Sequence, residues 1–359
     1  MTSQPDSTRA ITSVPGESKA AYYAWGGGLI FTVAFTLLIW YLGSLLQPFL
    51  SRLLPDQGGA WYYWKLPTRD FWTMFIVWVF YLSHQFAIWI AIYWAQNNLV
   101  IQKAHPTGSL TKYNFAAFAI TIVFTFLHLI QTLLWFDGLA QDTPIFVSQG
   151  SVIIMLSVIL ILENPRRGLF LSRRAGKPFT AQVVGFFRRT HMYIFAWALV
   201  YTFWFHPMAS DPQLLSGFFY MFLIFTQLSL AYTKVHLDMK WIILIESSVA
   251  IHAFIVAIYN TAFFGSAEMW PMFFAGFAFM FVFTYMYALN IRRELRWLIT
   301  GIYLAFVSWL YLPLPIGLGR DSTFLLRVEI LWIPAVLYGL AFSFAAIIYF
   351  LLKKNKKGN

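Results

Sequence analysis

The chain has 359 residues, of which 60% are hydrophobic, 20% aromatic and only 11% charged, where a soluble domain carries roughly a quarter charged residues. That composition excludes a water-soluble globule. Lys and Arg number 25 against 14 Asp and Glu, a formal net charge of +11, and the lack of cysteine removes disulfides, thiolate metal sites and cysteine nucleophiles together.

Residues 1–19 carry Ser, Thr, Pro and scattered charge without apolar periodicity and read as a disordered tail. Ten apolar stretches follow, each long enough to cross roughly 30 Å of hydrocarbon at about 1.5 Å per residue. They lie near 21–48, 71–97, 113–136, 144–163, 189–206, 214–235, 240–264, 269–291, 297–316 and 329–352. The first lacks a small-residue cleavage site after it and reads as a retained helix. The expectation is an all-α polytopic membrane protein: a ten-helix transmembrane domain over 20–352, then a basic tail at 353–359.

The basic residues orient these spans. Twenty of the 25 fall on one side, in the two tails and the even-numbered connections, and five, Arg52, Lys65, Arg69, Arg320 and Arg327, fall on the other. Cytoplasmic segments retain Lys and Arg, so both termini are expected in the cytoplasm, and the plasma (inner) membrane is the expected location. Ten spans also divide into five plus five, the plan of an inverted repeat. Val123-Phe124-Thr125 against Val282-Phe283-Thr284 is a short echo of one.

The longest inner connection, Glu163 to Arg189, mixes paired arginines with Leu169, Phe170, Leu171, Phe179, Phe186 and Phe187. Such a segment suits the interface, its apolar side chains among acyl tails and its arginines on anionic head groups. The expected partners are therefore the bilayer and anionic lipid at the cytoplasmic face, contacted by Arg166, Arg167, Arg173, Arg174, Arg188 and Arg189. Nucleic acid is not an expected partner. Trp and Tyr near the span ends, including Trp61 to Trp64, suit the aromatic belt at the lipid surface.

Ionisable residues at depth are the candidate functional groups, because a charge there costs several kcal/mol without a partner or water. Glu246 and His84 belong to the inner third, His252 lies near the midplane, His128 in the outer third and Asp137 at the outer mouth. Read by depth they form a ladder for protons or for substrate, with Ser83, Gln85, Thr125, Gln131, Ser247 and Ser248 as bridging groups. Histidine suits a relay because its ordinary pKa near 6.5 lets it take and return a proton at physiological pH. Each imidazole has a plainer alternative as a neutral packing residue. Glu246 and His252, six residues apart, lie about 240° apart around an ideal helix and so do not share a narrow face.

Cofactor readings are weaker. His191 and His206 could hold haems only with facing partners, for which His236 serves at the inner end alone. The set His84, His252 and Glu246 has acceptable ligand types for a metal but no clustered spacing. No cofactor is specified. The leading functional expectation is a proton-coupled secondary transporter of a small molecule. The alternatives are a membrane-embedded enzyme acting on a lipid or acyl donor and a haem- or quinone-binding membrane subunit. In helix number, size and termini the chain is similar to the ten-helix membrane acyltransferases that modify cell-surface polysaccharides. The Arg and His those proteins carry in the first helix have no counterpart in 21–48 here.

Overall fold

The computed structural model describes residues 18–54, 64–264, 269–312 and 329–355. Residues 1–17 of the amino-terminal tail, Trp61, Tyr62 and Tyr63 of the aromatic run, Arg320, Arg327, Lys356 and Lys357 lie outside the described residues.

Among the described residues there are ten long helices: α1 (Ala20–Leu42), α2 (Phe71–Asn98), α3 (Lys112–Trp135), α4 (Ile145–Arg167) and α5 (Ala181–Phe205), then α6 (Pro212–Ser229), α7 (Met239–Phe264), α8 (Trp270–Phe283), α9 (Arg293–Tyr311) and α10 (Trp332–Asn355). The protein is thus helical and of membrane type. Seven of the ten, α1, α2, α3, α4, α7, α8 and α10, are long and apolar enough to cross a membrane.

The other three depart from that pattern for different reasons. α5 and α6 form the centre of the bundle, and Phe203, Trp204, Phe205, Phe218, Phe222 and Phe225 are fully enclosed. Their apolar surface is satisfied by protein, and α5 carries Arg188 and Arg189 in its third turn. α9 opens on Arg293, Glu294 and Arg296 and packs on α8, leaving Trp297, Leu298 and Ile302 exposed. Wide apolar surfaces of this kind on α1, α2 and α10 (Trp40, Tyr41, Ile90, Tyr93, Ile347, Phe350) mark contact with a nonaqueous phase.

Local chemistry starts the helices. Asp70 accepts from Thr73 N at 2.7 Å, Thr111 and Asn114 form a reciprocal capping box at α3, Thr180 caps α5 and Asp211 caps α6 ahead of a proline. Each satisfies amide groups that the first turn leaves without partners. Two expected boundaries also shift. α4 runs on to Arg167 and α5 begins at Ala181, so the 163–189 connection shrinks to residues 168–180. Leu169, Phe179 and Phe187 are buried in the protein, while Phe170 and Leu171 stay exposed.

The second half of the chain does not copy the packing of the first. α4 lies along α5, whereas α9 packs on α8, and α10 packs on α4, α5 and α8.

Candidate functional site

Connections gather at two ends of the bundle. At the basic end, Lys234 N donates to Thr107 O at 2.9 Å, Ala21 N to Gly108 O at 2.8 Å and Leu171 N to Phe283 O at 2.8 Å. The opposite end is tied by Arg69, whose fork reaches Asp137 at 2.8 and 3.0 Å and Asp142 at 2.6 and 2.8 Å. There Trp64 Nε1 also donates to Asp211 at 3.1 Å.

From the basic end a cavity of about 690 Å³ enters between α4, α5, α6 and α7. Its walls are apolar, with Leu156 and Ile159 from α4, Phe195 and Leu199 from α5, Ile224 from α6 and Ile245 from α7. Lys103, Arg166 and Arg188, all exposed, stand around its mouth, and Tyr220 and Glu246 line its interior. Pockets of this size and character hold organic ligands, a few polar groups fixing orientation among apolar walls.

Glu246 meets a cation. Arg167, at the last turn of α4, grips its carboxylate with both terminal nitrogens: Nη2 donates to Oε1 at 2.7 Å and Nη1 to Oε2. The guanidinium also lies over the Tyr285 ring, 4.7 Å from its centroid. Both side chains are almost wholly enclosed, with relative exposures of 0% and 2%. The pair joins α4 to α7 and closes that side of the cavity. Arg167 is therefore not with the exposed arginines, where its run of basic neighbours placed it. Arg166, Arg173, Arg174, Arg188 and Arg189 are exposed, and Arg167 turns inward because an unpaired carboxylate at depth would cost several kcal/mol.

The other ladder residues are distributed over separate contacts. His252 bonds through Nδ1 to Ser216 Oγ at 2.9 Å and lies near-parallel to Tyr220, 6.4 Å between centroids; Tyr220 lines the cavity and His252 does not. His84 and His128 share an aromatic box. Trp204 Nε1–H donates to His84 Nδ1 at 3.2 Å, which puts the His84 proton on Nε2. Phe124 stacks on His84 at 4.5 Å, and His128 stacks on Trp204 at 4.3 Å. His84 Nε2, both His128 nitrogens, Thr121 Oγ1 and Thr125 Oγ1 are buried without a hydrogen-bond partner among the described residues.

Asp137 is a latch of the far end. Besides Arg69 it accepts from Gly138 N and Gln141 Nε2, each at 2.8 Å. Burial pushes its carboxyl up to about 6, against the pull of Arg69. Asp142 is held below the usual carboxylate range: burial would raise it, and Arg69 and Trp78 outweigh that. His84, His252 and Glu246, the set of metal-ligand types, do not converge. Among the described residues no group of three or more His, Asp or Glu is placed to hold a metal ion.

Two residues that sequence reasoning left at helix ends belong to the cavity. His191 Nδ1 lies 3.2 Å from Phe187 O and 3.0 Å from Arg188 O, and His236 Nδ1 lies 2.9 Å from Gln227 O. A carbonyl only accepts, so each Nδ1 carries the proton and each Nε2 keeps its lone pair. Both imidazoles line the cavity and are near enough to interact electrostatically. The available sequence signal was their proximity to cationic loops, which spacing alone does not turn into a pocket.

A scan of protein-family models and searches of curated proteins and of solved structures find nothing that matches this chain. The functional reading therefore rests on the cavity and its ion pair.

Proposed function

We propose that the protein is a proton-coupled secondary transporter with ten spans and both termini in the cytoplasm of a plasma (inner) membrane. The observation that carries the reading is the cavity reaching from the basic end to the Glu246–Arg167 pair. Beyond Leu199 and Tyr220 the bundle is filled by Phe203, Phe218 and Phe222, so the cavity is open at one end and blocked at the other, as an alternating-access protein is in one of its two states. Proton coupling follows from the pair: a proton on Glu246 cancels its charge and leaves the Arg167 guanidinium free to take an anionic group. His252 with Ser216 and the His84–His128 box lie outside the cavity in this state, and rearrangement of the rings that block it is what the other state requires.

The test is solute uptake into proteoliposomes under an imposed pH gradient, with a pH-sensitive dye in the lumen and a panel of organic acids, amines and amphiphiles outside. Wild type should show gradient-dependent uptake coupled to lumenal pH change, while Glu246→Gln loses the coupling and His252→Phe slows it. Identical traces from wild type, both variants and protein-free vesicles reject transport. One observation favours a second reading, an enzyme acting on a lipid or acyl donor: two imidazoles with available Nε2 lone pairs face one cavity, as a general base requires. Turnover of an acyl donor without net movement of solute would decide for it.

A further inference from the structure

The polar groups around the cavity are unevenly matched. The ion pairs among the described residues join Arg166 to Glu163 at 3.1 Å, Arg167 to Glu246, and Arg69 to Asp137 and Asp142. Each acid that lines the cavity is therefore neutralised by an arginine of α4. Lys103 and Arg188, which stand at the same mouth, are in none of these pairs. Beside them the fixed tautomers of His191 and His236 offer Nε2, which on protonation becomes a donor. The Tyr232 hydroxyl, in the same wall, is buried without a hydrogen-bond partner among the described residues.

Behind this polar rim the wall is aliphatic and aromatic over four helices, and the space is far larger than an inorganic anion needs. Removing charge from water into such walls is costly, whereas burying methylene groups there is favourable. The arrangement orients a ligand, with negative charge at the mouth and apolar mass inward.

We propose that the cavity binds an amphipathic anion, a carboxylate or phosphate monoester on a long apolar chain, its acidic head held by Lys103 and Arg188 with His191 and His236 beside it. This rests on the reading of the cavity as the transport site and names its substrate class. The head could come from a free amphiphile or from an anionic lipid entering from the bilayer, and the shared chemistry is the acidic head on an apolar chain.

The experiment uses the full chain in nanodiscs of neutral phosphatidylcholine and measures saturable binding of radiolabelled laurate by scintillation proximity. Dodecyl phosphate should compete, dodecanol should compete at least tenfold more weakly, and acetate and inorganic phosphate should not compete. Lys103→Gln and Arg188→Gln, both at exposed positions, should each weaken laurate several-fold with unchanged melting temperature, and the double variant should abolish it. Nanodiscs containing phosphatidate that block laurate would assign the head to the bilayer and still support the proposal.

Equal competition by dodecanol, full competition by acetate, or laurate affinity unchanged in the double variant would overturn it. A Soret band in the purified protein that disappears in His191→Ala would overturn it too, by giving the space to haem. The two readings fail separately. Laurate bound without gradient-driven uptake removes transport and keeps the ligand class, and coupled uptake of a polar solute without laurate binding does the reverse.

Discussion

Glu246 owes its position to Arg167, and the cost of separating them is the sharpest expectation about single residues. Truncating either partner leaves the other charge enclosed, a loss of about 3–5 kcal/mol, whereas replacing both with apolar groups of similar size is often neutral. Arg167→Ala and Glu246→Ala should each lower the folded fraction strongly in an SDS unfolding titration, and Arg167→Met with Glu246→Leu should recover most of it. A double variant as unstable as the sum of the singles would mean that the two side chains do not act as a pair. That Glu246 mattered was legible in the sequence, since a carboxylate deep in an apolar helix demands an explanation. Its partner was not, because Arg167 sits in a run of basic residues that individually look like head-group contacts. Asp211 makes a second expectation at the far end. Burial raises its carboxyl to about 6, against the bonds it accepts from Leu214, Trp64 and Gln213. Its folded value lies above the ordinary one near 4, so the folded state holds the proton more tightly. The stability it contributes is complete below about pH 4 and is lost as pH rises through about 6. Asp211→Asn keeps the helix cap and should flatten the fall in melting temperature between pH 4 and 7. An unchanged slope would assign that pH dependence to other groups, Asp137 first.

Between helices, the contacts that decide packing are made by few positions, and the run Gly26-Gly27-Gly28 shows how selectively. A Cβ at Gly28 would come within 2.5 Å of Thr226 Cγ2 on α6, while nothing lies within 4 Å of one at Gly26 or Gly27. Within this run, close approach of α1 to α6 therefore depends on Gly28, as small residues permit in membrane bundles. Gly28→Leu should lower the melting temperature by several degrees and Gly26→Leu should leave it within error; equal effects would show that α1 packs through the whole run. The existence of the helices was legible because ten long apolar stretches punctuated by charged connections leave little else for the chain to form. Their ends were less so. Thr180 starts α5 ahead of the apolar stretch that began the expected span, because a cap acts on backbone amides and does not register in hydropathy. The ladder failed as a continuous line for a related reason. Depth along a helix follows from residue count, but azimuth needs the neighbours, and His84, His128 and His252 turn toward different ones.

Across the whole molecule, the distribution of charge and the grouping of the connections are separate observations, and the orientation proposed from the first is open to a direct test. The charge count assigns residues 99–111, 168–180 and 230–238 to one side, and hydrogen bonds join Thr107 to Lys234 and Arg166 to Leu237. It assigns 51–70 and 136–144 to the other, and Arg69 ties these together through Asp137 and Asp142. If the proposed orientation holds, a charge-impermeant thiol reagent should reach the two groups from opposite faces of the membrane. The chain has no cysteine, so single cysteines can be introduced without removing any. Ser172→Cys and Arg174→Cys, both exposed, should react in inverted membrane vesicles and stay protected in intact cells. Pro144→Cys, exposed between α3 and α4, should react in intact cells. Labelling of Ser172→Cys and Pro144→Cys from the same face would leave α4 short of a crossing, remove the alternation on which ten spans depend, and place the cavity mouth on a side the charge distribution does not favour.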